Sequence, residues 1–98
     1  MAILEISVLP IGTDNASIGS YITESCKHLK DKGVSFQVTP TSTVVEGNLK
    51  QLIEIAEEMH VTPFKMGAQR VITNITIDER NDKTDNMVDK VEEVTKNI

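Results

Sequence analysis

The hydrophobic period of this chain switches along its length, and the order of the switches restricts the fold more than any motif does. From Ile3 to Leu9 the apolar positions are Leu4, Ile6 and Val8, with Glu5 and Ser7 between them. That period of two predicts a strand with one buried face, stopped by Pro10. Ile18, Ile22, Cys26 and Leu29 then recur at spacings of four and three. They predict an amphipathic helix, capped by Asn15 or Ser17 and closed by Gly33. Val34, Phe36 and Val38 alternate as a second strand, and a short third strand is predicted from Thr43 to Glu46. Gly47 breaks it, and Asn48 with Gln51 three residues on forms a capping pattern.

The stripe Leu49, Leu52, Ile53, Ala56 and Met59 predicts a second helix, with Pro63 and Gly67 marking the loop beyond it. In QRVITNITIDER the faces are Val71, Thr73, Ile75 and Ile77 on one side, and Arg70, Ile72, Asn74, Thr76 and Asp78 on the other. This is the strongest strand signal in the chain. Met87, Val91, Val94 and Ile98 predict a terminal helix added to the core. The order strand, helix, strand, strand, helix, strand is the split βαβ pattern of an α+β fold. A four-stranded antiparallel sheet with two helices on one face is expected, plus the C-terminal helix, as one domain over residues 1–98.

Such a sheet leaves its other face bare, carrying Ile3, Leu9, Val44 and Ile72 among Glu5, Ser7, Gln37, Asn74 and Thr76. Half-solvated antiparallel sheets are common. Four aliphatic residues are more than such a face requires, so a homodimer or homotetramer is expected through it.

Composition excludes several function classes. With no Trp, one Tyr and two Phe there are few rings for stacking bases, and a net charge of -5 is unsuited to a phosphate backbone. No nucleic-acid partner is expected. Cys26 is the single cysteine, so it forms neither an internal disulfide nor a cysteine cluster. No secretory leader or membrane-length apolar run is seen, which makes a cytoplasmic protein without a membrane partner the expectation. His28 and His60 fall on separate helices and are paired with no other metal ligand by spacing, so neither metal nor catalytic site is expected. The loop LPIGTDNAS carries one glycine and is a weak phosphate motif. TPTSTVVEGN is more telling, because hydroxyls and a carboxylate at a helix start suit a small polar ligand.

Four segments, SVLPIGT, SIGSYI, TPTSTVVEGN and QRVITNITIDERNDK, together resemble the small thiamine-binding protein family. The resemblance covers nearly the whole chain. It implies a ferredoxin-like fold, oligomers formed by packing sheets together, and non-catalytic binding of thiamine or its hydroxymethylpyrimidine part, with no separate cofactor. The matching positions are Pro10, Gly12 and Thr13 in the first loop, Ser17 and Tyr21 on the first helix, Thr43, Glu46 and Gly47 in the second turn, and Arg70 and Asp78 on the last strand. Where the family often has Met-Gly-Thr after a proline, this chain has Thr41 and Ser42. Gly12, Thr13, Ser17, Tyr21, Thr43, Glu46 and Arg70 are accordingly the expected ligand residues.

Chemically, the amine and ring nitrogens of an aminopyrimidine suit a carboxylate such as Glu46 and a hydroxyl such as Thr43 or Ser17. Two roles fit Tyr21: stacking on a ligand ring, or packing its helix against the sheet. Gly12 and Gly47 also suit turns, and Arg70 suits Glu46, an anion or solvent. An interaction module whose assembled surface is itself the function remains the alternative.

Overall fold

The computed structural model of the 98-residue chain describes residues 1–12, 19–82 and 86–98. Four strands, β1 (Ala2–Ile11), β2 (Ser35–Val38), β3 (Thr43–Gly47) and β4 (Arg70–Glu79), form one antiparallel sheet in the order β2-β3-β1-β4. Helix α1 (Gly19–Asp31) follows β1, α2 (Leu49–Lys65) follows β3, and α3 (Met87–Thr95) follows β4. This is the split βαβ arrangement that the order of periods predicts.

The inner face of the sheet carries Ala2, Leu4 and Ile6 of β1 and Val45 of β3. They pack with Leu29 of α1 and with Leu52, Ile55, Ala56 and Met59 of α2, while Val8, Val34 and Phe36 close the margin of this core. Burying an aliphatic side chain of this size contributes about 1.5–3 kcal/mol each, which makes this cluster the main support of the fold. At its start α2 is capped by Asn48, whose Oδ1 accepts from the Gln51 N–H at 2.9 Å. The turn after α1 closes at Gly33, where φ is +70° and a side chain would be strained. The predicted caps of α1, Asn15 and Ser17, lie outside the described residues.

Several details differ from the sequence reading, each for a local reason. Neither proline ends its element: β1 runs through Pro10 to Ile11, and α2 runs through Pro63 to Lys65. Beyond Ile6, β1 has β4 on one side and no strand on the other, so a residue without an N–H is accommodated there. Pro63 falls in the last turn of α2, where losing one helical hydrogen bond matters least. The buried face of α1 is set by Tyr21, Ser25 and Leu29, which leaves Cys26 half-buried at its border and not in the core.

On α2, Leu49 and Ile53 are exposed although they share the apolar stripe. They lie on the flank of His60, whose Nδ1 is 2.7 Å from Thr73 Oγ1 on β4. β4 is an edge strand, and its inner-face residues Ile75 and Ile77 are still 46% and 41% exposed. The helices therefore cover the middle of the sheet more fully than its β4 margin.

Helix α3 lies against the outer face. Glu46 and Asp78 flank Ile3 in the register of that face. A Glu46 carboxylate oxygen accepts from the Met87 N–H at 2.8 Å, and Lys90 Nζ pairs with Asp78 at 2.6 Å. Met87 is buried, while Val88, Val91 and Val94 stay exposed.

Candidate functional site

Beyond Ile6 the β1 and β4 ribbon continues alone, because β3 begins at Thr43 opposite Ile6 and the turn from β2 leads away from it. A cavity of about 90 Å³ lies between this free margin of β1, the turn joining β2 to β3, and the first turns of α1. Its apolar wall comes from Ile6, Val8, Ile22, Met59 and Pro63. Its polar wall comes from Tyr21, Ser25, Thr39, Ser42 and Thr43.

The turn fixes this wall by its own hydrogen bonds. Thr39 Oγ1 accepts from the Ser42 N–H and also contacts the Ser42 carbonyl, each at 3.0 Å, so the Thr39 hydroxyl is spent on the turn. Ser42 Oγ donates to Glu5 at 3.3 Å. The hydroxyls of Tyr21, Ser25 and Thr43 are different. All three residues are buried, yet none of these hydroxyls makes a hydrogen bond among the described residues. Among the described residues no polar side-chain atom is sealed away without a partner, so these oxygens retain access to open space. Hydrogen-bonding capacity left unused at a cavity is available to a ligand.

No acidic, basic or histidine side chain is among the described residues of the wall. A larger groove, about 520 Å³, runs between α1 and α2 and includes Glu24, His28, Asp31, Lys32, Glu58 and Lys65. Its charges are of both signs and are partly paired, Lys32 with Glu58 across it at 3.2 Å and His28 with Glu24 along α1 at 3.6 Å. Such exposed pairs describe a solvated helix surface, which makes the smaller cavity the better candidate.

Of the residues expected at a site, the structure brings Tyr21 and Thr43 together at this cavity. Thr41 and Ser42 join them. Thr13 and Ser17 lie outside the described residues. Glu46 does not line the cavity: it sits on the outer face and holds the start of α3. Arg70 pairs with Ile11 at the far end of the ribbon and is likewise absent from the wall. Asp78 is at the opposite end of β4, beneath α3. Gly12 ends β1 with φ at +78°, and a Cβ there would come within 3.2 Å of the Gln69 side chain, so its role is in the backbone. Gly47 lies beneath Gln51 at the start of α2.

Ser25 and Val8 were not singled out by the sequence reading. Ser25 follows Tyr21 by four residues on the same helix face, a spacing that could have marked it. His28, His60 and Cys26 are not gathered into one site, and no group of three potential metal ligands exists among the described residues. Burial pushes the Cys26 thiol above its ordinary pKa, the opposite of what activates a nucleophile.

A small hydroxyl-lined cavity thus lies beside a split βαβ sheet. The chain belongs to the thiamine-binding protein family, whose match extends over residues 4–95. It is 45% identical over 100 residues to the UPF0045 protein in the glkA 3′ region of Staphylococcus xylosus, covering 98% of this chain and 94% of that one. It is 36% identical over 102 residues to the UPF0045 protein YqgV of Bacillus subtilis, covering 100% and 98%. The crystal structure of protein MJ1052 from Methanocaldococcus jannaschii superposes with a TM-score of 0.85 at 26% identity, over 96% of this chain and 95% of that one.

Proposed function

We propose that this chain is a non-enzymatic, cytoplasmic binding protein for thiamine or its hydroxymethylpyrimidine part, working as a homo-oligomer. The observation that carries the reading is the set of three buried hydroxyls, Tyr21, Ser25 and Thr43, left unspent around one cavity. Membership of the thiamine-binding family supports the choice of ligand. Self-association is supported by the outer face, where Leu9 and Ile72 stand directly opposite one another and are 48% and 38% exposed. Val88, Val91 and Val94 of α3 are exposed as well.

Calorimetric titration with thiamine and with hydroxymethylpyrimidine tests the ligand, and sedimentation of the same sample tests the assembly. Saturable heat that is weakened by Thr43→Val supports the proposal. An intact oligomer that binds neither compound would instead favour an interaction module, for which the exposed seam of Leu49, Ile53, Ile75 and Ile77 offers a surface.

A further inference from the structure

Two spaces in this protein share a wall. The cavity beside β1 and the groove between α1 and α2 have two described lining residues in common, Ser25 of α1 and Met59 of α2. Both are buried. Ser25 ends in a single hydroxyl, so it closes little of the gap by itself. Met59 is unbranched, with three rotatable side-chain bonds, and its thioether changes position by rotamer exchange without movement of α2. A partition built from one short and one flexible side chain is a movable one.

The spaces on its two sides differ in what they hold. At about 90 Å³ the cavity falls below the ~300 Å³ at which pockets for small molecules begin, so it seats no more than a single ring. The groove measures about 520 Å³ and has Leu29 and Ile55 on its apolar floor. Its rim carries charges of both signs, and the carboxylate next to the partition in the chain is that of Glu58, whose side chain is about half exposed. An exposed carboxylate beside an apolar floor suits a flat organic cation.

We propose that Met59 is a specificity-determining partition: turned aside, it lets a two-ring ligand keep one ring in the cavity and lay a second, cationic ring in the groove between α1 and α2. The inference rests on the ligand class proposed above. Thiamine has this form, a pyrimidine joined through one methylene carbon to a thiazolium. Hydroxymethylpyrimidine has the first ring alone and needs no passage through the wall.

The test is calorimetry on the full chain with these two compounds at slightly alkaline pH, where the pyrimidine is uncharged. Each variant is read as the ratio of thiamine affinity to hydroxymethylpyrimidine affinity, so that a general disturbance of the cavity cancels. Met59→Ile keeps the side-chain volume but fixes χ1 on a helix, and is expected to lower the ratio at least about tenfold. Met59→Ala removes the partition and is expected to keep the ratio or raise it. Glu58→Lys acts from the groove side, outside the cavity wall, and is expected to lower the ratio at least about threefold.

An unchanged ratio in Met59→Ile or in Glu58→Lys would overturn the inference while leaving the ligand class standing. So would a natural chain that binds hydroxymethylpyrimidine and not thiamine. Met59→Leu replaces Met59→Ile should the branched side chain not fold, and Glu58→Lys decides alone should neither fold. Absence of binding by both compounds would overturn the two proposals together.

Discussion

Replacing Thr43 by Val keeps the shape of a buried side chain and removes a hydroxyl that the fold does not use. The urea midpoint should therefore fall little, because no internal hydrogen bond is lost, while affinity for hydroxymethylpyrimidine should drop about tenfold. Leu52 shows the reverse pattern. It is fully buried in the core and remote from the cavity wall, so Leu52→Ala should lower unfolding stability by about 2–5 kcal/mol, read from urea denaturation.

Cys26 gives a chemical check at the same scale. Desolvation favours its neutral thiol, so alkylation by iodoacetamide near pH 8 should run slower than for a free cysteine, and should reach the free rate on unfolding. The stabilising effect of the folded protein on that thiol is present below the unfolded pKa. It is lost as the pH rises through the higher folded value.

Among the elements, α3 is held by few contacts and should be separable from the rest. Glu46→Gln weakens the acceptor for the Met87 N–H, at a cost of about 1 kcal/mol. Amide exchange should accelerate in residues 87–95 and remain slow in the β1 and β4 ladder. Equal acceleration in both would show that α3 is part of the core. The two prolines explain where element boundaries were illegible. Proline reads as a stop in both β1 and α2, but Pro10 sits on a margin with no neighbouring strand to bond, and Pro63 costs α2 only one hydrogen bond in its last turn. That depends on which margin of a strand has a neighbour, which local sequence does not encode.

For the molecule as a whole, the topology was legible because the period switches five times in an order that few sheets satisfy. The site was legible only in part. Tyr21 and Thr43 meet at the cavity, but Glu46 follows Thr43 by three residues along a strand and so emerges on the opposite face. Closeness in sequence concealed that separation. The apolar outer face yields the assembly-level prediction: Leu9→Asp or Ile72→Asp should shift the sedimenting species toward a monomer while the circular dichroism spectrum is retained.

The ladder between β1 and β4 joins residues near opposite ends of the sequence, and it is the longest pairing in the sheet. Closing so large a loop is entropically costly and is repaid only once the distant strands meet. Nucleation in the helix-flanked β3 region followed by late docking of β4 is the expected kinetic route. Until that docking, the inner aliphatic row of β1 would stay partly unshielded, which makes dilute, rapid refolding conditions preferable to slow dialysis at high concentration.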